Sequence, residues 1–493
     1  MAASKADECA PCSAAKLFLS EGMGKWRSTY QGMLRSRQSL YRSKLLSNLV
    51  GSSPNSDTNL AGLVEPLVPD SSYSSPQSPA SGLDGEPSAT KAKTPKQEST
   101  QQVLSVPQVV FNIVNIILGA GVLSMPYAFK RSGYVTIAAM GAVIYITSTT
   151  GKWLAAALEM AASIPDARGV PASAMDYGFL AKMAFGDRGL LVVGWVTILE
   201  IWLASVTFLV MTAANVTAIC PHCDQHYTVP VAAFGTMLLC FVPPKIFSYL
   251  SLLSTLSMVL ALAALVGAAL SIGVQNWEMP RGEQAYIDPW NLPRSIGIIT
   301  FCFAGHPVFP SVHSSMKMRT KWNASVDISF AAAFAYYGIF GFLGYLVFGR
   351  DVEPTITNNL ERGCQALAAV CFLVKLNLTL PMMFSTLLVA LSPPSSDSST
   401  WRPKRVAVLF GVVGVTSLIA LAFQNAVETV TSLAGNLFIM TTSVLFPPVA
   451  HLQLMRTCGR EVHGWLAFQY VMVLAFGLIF GMIGTAFAIS DMW

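Results

Sequence analysis

Charged residues are scarce in this sequence. Asp, Glu, Lys and Arg make up 12% of its 493 residues, whereas hydrophobic residues make up 53% and the mean hydropathy is +0.52. This balance excludes an ordinary soluble globular protein and indicates a polytopic membrane protein in contact with the lipid bilayer. The formal net charge of +5 is small and spread over loops, so it gives no reason to expect a nucleic-acid partner.

The residues needed for a metal site or a catalytic centre are also few. Among nine cysteines, the CPHC motif at 220–223 with His226 has the letters of a metal site, but its spacing is too cramped for a structural zinc module. No nucleophile, base and orienting residue can be assembled from the sequence. We therefore expect no metal, cofactor, catalytic residue or enzymatic activity. In an oxidising lumen, a disulfide from Cys220 or Cys223 to Cys364 is the predicted use of these thiols.

Composition divides the chain into two regions. Residues 47–100 are rich in Ser, Pro, Thr and Asn with few aromatic side chains, so they cannot form a core. Residues 1–102 are therefore predicted to form a mostly disordered cytoplasmic tail whose protein partners are unknown. A basic amphipathic helix at 16–46, lying on an anionic membrane surface, is the alternative for part of it. Residues 103–493 are predicted to form the transmembrane domain.

About eleven apolar segments of spanning length follow the tail. The loops that would share its side of the membrane carry most of the Lys and Arg residues between segments, which predicts a cytoplasmic N-terminus. The predicted fold class is an all-α polytopic membrane protein. The segments cover 107–129, 133–158, 189–219, 228–243, 249–275, 294–315, 324–348, 363–390, 405–424, 427–454 and 465–490.

The first segment contains residues that break helices. In NIILGAGVLSMPYAFKRSGY, Gly119, Gly121 and Pro126 interrupt an apolar run, and Pro126 has no N–H to offer the carbonyl of Val122. A broken helix persists in hydrocarbon only where protein or a watery cavity serves its backbone. Freed carbonyls can bind an ammonium, and freed amides at a helix start can bind a carboxylate, which matches the head of an amino acid. A kink for packing is the alternative.

The sixth segment repeats this feature, because Gly305, Pro307 and Pro310 interrupt FCFAGHPVFPSVHSSMK. Two interrupted helices five segments apart predict an inverted five-helix repeat with broken helices 1 and 6 and a substrate at the midplane between the breaks. The predicted substrate-binding residues are Asn115, Gly119, Ala120, Gly121, Val122, Phe303, Ala304, Gly305 and His306.

Three ionisable residues fall near the middle of predicted spans: Glu200, His306 and Lys375. Charges at that depth are costly unless they pair or face a watery path, so they mark candidate coupling sites. The alternative is a structural ion pair between Glu200 and Lys375, with His306 only bonding freed carbonyls.

Lys375 opens the segment KLNLTLP, in which Thr379 shares its helix face and Pro381 frees the carbonyl of Asn377. An ammonium at Lys375 in place of a bound cation favours protons as the coupling ion. Asn377 and Thr379 could instead hold sodium. The predicted ion-coupling residues are Glu200, Lys375, Asn377 and Thr379.

Together, the motifs resemble those of the amino acid/auxin permease family, in particular its vacuolar members and the vesicular inhibitory amino-acid transporter. They are the two broken segments, GYLVFG at 344–349 and TITNNL at 355–360. The resemblance covers about 103–490 and implies an eleven-helix LeuT/APC-type symporter or antiporter of neutral amino acids. It also implies proton or sodium coupling and favours a vacuole or other acidic compartment. The third segment departs from the family pattern, with Thr207, Thr212 and Ala214 where acidic residues are expected.

Three other functions stay open at this point. The first is a sodium-coupled amino-acid transporter, and the second is a non-transporting amino-acid sensor of the same fold that signals through the tail. The least favoured is a multispanning membrane enzyme that uses Glu200, His306 or Cys302, because the paired helix breaks would then have no explanation.

Overall fold

The computed structural model describes residues 104–167, 170, 174–242, 244–275, 287–392 and 403–491. The predicted tail at 1–102, with the alternative helix at 16–46, lies outside these residues and stays a prediction. The described part is helical, with two isolated β-bridges, Leu104 to Met316 and Gly133 to Ile287. Its α-helices are α1 (Val106–Ile117), α2 (Met125–Ser132), α3 (Val135–Ser163), α4 (Tyr177–Ile219), α5 (Gln225–Leu239), α6 (Pro244–Gln275), α7 (Leu292–Cys302), α8 (Phe309–Ser314), α9 (Trp322–Phe348), α10 (Arg362–Leu391), α11 (Pro403–Ala422), α12 (Val427–Leu433), α13 (Phe446–Thr457) and α14 (Gly464–Ser490).

The described helices follow the order of the predicted segments. Among the described residues, eight helical stretches are long and apolar enough to cross a membrane, or nine when α1 and α2 count as one bent span. Helix α3 is 29 residues long, but its Thr- and Ser-rich run at 147–150 makes it less apolar. Helix α5 has 15 residues, about 22 Å of helix against a hydrocarbon layer of about 30 Å. With α3 and α5, the helical units match the eleven predicted segments.

The first segment is broken as predicted. Helices α1 and α2 meet at 53°, and Gly119 between them is extended, with φ −123° and ψ −154°. A 3-10 helix, Ala120–Ser124, then leads into α2. One detail of the prediction is wrong: the carbonyl of Val122 is not free, because the tight 3-10 turn lets it accept the N–H of Met125.

The second predicted break is also confirmed. Helix α7 ends at Cys302, and the chain turns at Gly305, whose φ of 150° favours glycine. The 3-10 helix His306–Val308 leads from this turn into α8. Helix α4 has a sharp bend of its own at Gly186, where φ is 68°. The straight part of α4 therefore begins close to the predicted segment 189–219.

A feature that the sequence did not predict lies between α12 and α13. Residues Ala434–Leu445 form a π-helix, a rare backbone conformation that is frequent at functional sites. Its glycine packs so tightly on α7 that a Cβ on Gly435 would lie 1.8 Å from the carbonyl oxygen of Gly297. Small residues at membrane helix interfaces allow this close backbone approach. The π-helix is thereby held directly against the half-helix that leads into the second break.

The turn between α4 and α5 contains a disulfide between Cys220 and Cys223, whose Cα atoms are 5.4 Å apart. The predicted bridge to Cys364 is wrong, since Cys364 is a free thiol in the structure. The physical reason is local: the turn already brings the first two cysteines within the range of Cα separations that a disulfide accepts.

Candidate functional site at the two helix breaks

The two breaks pack directly against each other. A Cβ added to Gly121 would lie 2.5 Å from Sγ of Cys302 and 3.2 Å from its Cα. A Cβ added to Gly305 would lie 2.8 Å from Cγ2 of Ile116 in α1. The missing side chains therefore let the two interrupted helices cross at their breaks.

A tyrosine from α9 serves the backbone of the first break. The hydroxyl of Tyr337 donates to the carbonyl of Ile117 at 3.0 Å and accepts the N–H of Gly119 at 3.4 Å. Tyr337 is fully buried. It satisfies one carbonyl and one amide of the interrupted backbone at once. Nothing in the sequence around Tyr337 indicates this contact, which joins residues more than 200 positions apart.

His306 anchors the second break to α3. Its Nε2 lies 3.0 Å from the carbonyl oxygen of Thr147 and 3.0 Å from Oγ1 of Thr150. Because a carbonyl can only accept, Nε2 carries a hydrogen. Nδ1 is buried and has no hydrogen-bond partner among the described residues. His306 therefore bonds a carbonyl of a neighbouring helix and keeps one ring nitrogen unused.

The predicted substrate-binding residues differ in exposure. Those that are buried are Ala120, Gly121, Val122, Phe303 and His306, and those that are half-buried are Asn115, Gly119, Ala304 and Gly305. Phe303 packs its ring 5.2 Å from that of Tyr337.

Lys375 on α10 contacts the first broken helix just before its break. Its Nζ donates to the backbone carbonyl of Asn115 at 3.1 Å and to the side-chain Oδ1 at 2.9 Å. Thr255 on α6 donates its hydroxyl to the same Oδ1 at 3.0 Å. Lys375 is 2% exposed. Asn115, predicted to bind substrate, thus belongs to a polar cluster that joins α1, α6 and α10.

The other predicted coupling residues of α10 bond to their own helix. The amide of Asn377 donates to the carbonyl of Leu373 at 2.9 Å, and the hydroxyl of Thr379 donates to the carbonyl of Lys375 at 2.8 Å. Within the described residues, neither side chain has a hydrogen bond to the first break. Of the predicted coupling residues on α10, only Lys375 has a hydrogen bond to α1 within the described part of the chain.

Glu200 lies against the π-helix. Its side chain is buried next to Thr442, whose carbonyl accepts a hydrogen bond from the hydroxyl of Tyr177. Oε2 of Glu200 has no hydrogen-bond partner in the described part of the chain. The alternative of a structural Glu200–Lys375 ion pair is wrong, because the lysine points to α1 and the carboxylate to the π-helix.

Two ion pairs hold half-helices of the breaks. Arg131 of α2 donates from Nε and Nη2 to the two carboxylate oxygens of Glu428, both at 2.6 Å. Arg294 of α7 donates in the same way to Asp491, at 2.6 and 2.7 Å. These hydrogen bonds hold the pKa of Asp491 below its ordinary value. Such two-pronged pairs are stronger and more directional than single contacts. Sequence reasoning missed both, since the partners are far apart along the chain.

Known proteins match this chain over most of its length. A family model described as transmembrane amino acid transporter protein matches residues 102–490. The amino acid transporter AVT1E of Arabidopsis thaliana is 28% identical over 404 residues, covering 78% of this chain and 72% of the relative. The amino acid transporter ANT1 of the same plant is 25% identical over 434 residues, covering 81% and 96%.

Two solved transporters share the fold. The manganese transporter of Eremococcus coleocola aligns with a TM-score of 0.52 at 11% identity and covers 81% of this chain and 90% of its own. MhsT, solved with L-phenylalanine, aligns with a TM-score of 0.50 at 11% identity and covers 77% and 98%. At this identity the likeness shows a LeuT-type transporter fold and nothing about substrate.

Proposed function

Because the chain belongs to the transmembrane amino acid transporter family, it is a multi-pass amino-acid transporter and not an enzyme, and we propose that it moves neutral amino acids by alternating access with proton coupling. The amino-acid head group binds at the first break, where one amide and one carbonyl are served by an exchangeable hydroxyl. The helix start after the break favours the carboxylate, and the carbonyl of Ile117 can accept from the ammonium once the hydroxyl leaves.

The composition of the breaks supports a neutral substrate. The predicted substrate-binding residues are Gly, Ala, Val, Phe, Asn and one histidine, with no carboxylate or lysine among them. A charged substrate side chain buried there would have no partner of opposite charge, which is costly in a low-dielectric site. MhsT, whose structure holds L-phenylalanine, offers an example of a neutral amino acid bound in this fold.

The observation that carries proton coupling is the contact between Lys375 and Asn115. In its charged form the ammonium holds the carbonyl and the side chain of Asn115, and so fixes α1 to α10. Loss of the proton removes the charge-assisted part of these bonds and loosens α1. Sodium coupling would instead use the side-chain oxygens of Asn377 and Thr379, which have no hydrogen bond to the first break among the described residues. Glu200, with one unpaired carboxylate oxygen, is the second candidate proton carrier.

Alternating access would open and close the ends of the broken helices. The ion pairs of Arg131 and Arg294 hold α2 and α7 at one end, and the β-bridge between Leu104 and Met316 joins the start of α1 to the end of α8. We place the N-terminus in the cytoplasm and the protein in the membrane of an acidic compartment. The disulfide of the α4–α5 turn supports this placement, since that turn then faces an oxidising lumen.

Uptake into proteoliposomes tests the proposal. The purified protein should accumulate labelled neutral amino acids when a pH gradient is imposed, and replacing sodium with potassium should change nothing. Lys375→Met should leave exchange of amino acids measurable but independent of the pH gradient. Lys152→Met is the matched control, because that lysine pairs with the exposed carboxylate of Asp327 and not with Asn115.

Three outcomes would contradict parts of the proposal. A sodium requirement would move the ion site to Thr379 and Asn377. Wild-type pH dependence in Lys375→Met would make the lysine structural. Amino-acid binding without any uptake would favour the sensor function.

A further inference from the structure

The first break has an occupant of its own, the hydroxyl of Tyr337. This group reaches from α9 and bonds the carbonyl of Ile117 and the amide of Gly119 on either side of the interruption. A hydroxyl is one donor and one acceptor on a single atom. It therefore provides, in neutral form, the two functions that an ammonium and a carboxylate provide when an amino acid binds to backbone carbonyls and amides.

The surroundings of Tyr337 hold its ring in place. The ring packs against Phe303 of the second break at 5.2 Å, edge to face, and the thiol of Cys302 lies close to the hydroxyl. Cys302 in turn touches the site of Gly121. The hydroxyl thus lies where the two broken helices and α9 meet, which is the position the proposed substrate head group must reach.

Resting on the proposed function, we infer that Tyr337 is a built-in placeholder for the substrate: its hydroxyl serves the first break when the site is empty, and the amino-acid head group displaces it on binding. The empty transporter avoids unpaired backbone groups at membrane depth, which would be costly in hydrocarbon. Every binding event must then break two hydrogen bonds of the tyrosine, so Tyr337 sets the affinity of the transporter without contributing to the proposed ion coupling.

Substitution of this one hydroxyl makes a sharp test. Tyr337→Phe keeps the ring and its packing but leaves the amide and carbonyl of the empty break unpaired. Substrate then relieves this cost instead of competing with a hydroxyl, so we expect KM to fall at least about ten-fold, the factor that one buried unpaired group alone imposes. Turnover should fall as well, since release of substrate becomes harder.

The neighbouring tyrosine provides a matched control. Tyr336 lies next to Tyr337 on the same helix, but its hydroxyl donates to the carbonyl of Met258 in α6 at 2.7 Å. Like Tyr337→Phe, Tyr336→Phe removes a phenolic hydroxyl from α9, but the hydrogen bond that is lost lies away from the break. Its KM for L-alanine, L-leucine and L-phenylalanine should equal that of the wild type.

A second measurement keeps the inference testable if Tyr337→Phe does not fold. With 3-fluorotyrosine at position 337 of the otherwise unchanged protein, adding a transported amino acid should shift the fluorine resonance, while the same label at 336 should not respond. A KM in Tyr337→Phe that is unchanged or raised, or a resonance at 337 that ignores substrate, would overturn the placeholder. Absence of uptake of all three amino acids by the wild type would instead overturn the proposed function.

Discussion

The two helix breaks are stabilised in different ways. At the first break, the hydroxyl of Tyr337, on another helix, forms hydrogen bonds with the carbonyl of Ile117 and the amide of Gly119. At the second break, the turn is made by the φ of Gly305, and His306 bonds α3. A ligand can replace a hydrogen bond from a side chain of another helix, whereas it cannot replace the backbone conformation of a glycine. The first break is therefore suited to binding and the second to holding its shape.

The largest effect should come from filling the contact between the breaks. Gly121→Val places a branched side chain where even a Cβ would lie 2.5 Å from Sγ of Cys302, and such overpacking is destabilising. Uptake should fall below detection while the protein still reaches the membrane. Gly141→Val is the control, since a Cβ there meets nothing within 4 Å. Normal uptake by Gly121→Val would show that the breaks do not need this close contact.

A smaller effect should follow a change at the second break. Gly305→Ala forces a side chain into φ of 150° and to 2.8 Å from Cγ2 of Ile116, a strain of about 1–3 kcal/mol. We expect a lower melting temperature and about ten-fold slower uptake with little change in KM. Gly411→Ala, in open space on α11, should change neither quantity. A change confined to KM would mean that the second break also binds substrate.

The ion pair that holds α7 should contribute less. Asp491→Asn removes the partner of Arg294, at a cost of about 1 kcal/mol for a partly exposed pair. The pKa of Asp491 lies below its ordinary value, so its stabilisation is complete above the unfolded pKa of about 3.9. It is lost only as the pH falls through the lower folded pKa. The melting-temperature difference from wild type should therefore be equal at pH 7 and pH 5. A difference that disappears at pH 5 would contradict this.

Removal of the tail should have the smallest effect on either break. A chain that starts near residue 96 keeps Leu104, whose backbone bonds Ser315 and Lys317 beyond α8. It also keeps every described helix, so proteoliposome uptake should match that of the full chain. Sorting in cells, followed by microscopy, is the property that should change. Complete loss of uptake by a correctly inserted truncation would revive the sensor function.

Local signals explain what the sequence predicted. Glycine and proline interrupt helices through their own backbone chemistry, so both breaks could be predicted from local residues such as Gly119, Gly121 and Gly305. The apolar segments were equally local. By contrast, the Tyr337 hydroxyl and the Arg131–Glu428 pair depend on which helices pack together, over separations of 218 and 297 residues. A single sequence contains no pattern at that range.

The disulfide prediction was wrong because it chose a distant partner where the structure has a local one. Cys364 was predicted as the partner because its loop lies on the same side of the membrane, but the disulfide joins Cys220 to Cys223, which are only three positions apart in one turn. The π-helix was missed because its hydrogen-bond register depends on packing against α7 and α14, and the residues of Ala434–Leu445 also suit an α-helix. Side-chain type alone does not distinguish the two.

Within the described residues, the π-helix gives the tenth membrane-crossing unit a wider turn than the α-helices α12 and α13 on either side of it. Each residue of an α-helix turns the chain by about 100°, so converting the wide turn to ordinary α-helical bonding would rotate one part of the helix against the other. Thr442 would then swing relative to Glu200, which it now adjoins. The carboxylate thus lies beside the change in hydrogen-bond register of this helix. Under the proposed coupling role of Glu200, a change in its protonation would act directly on the wide-turn part of this helix.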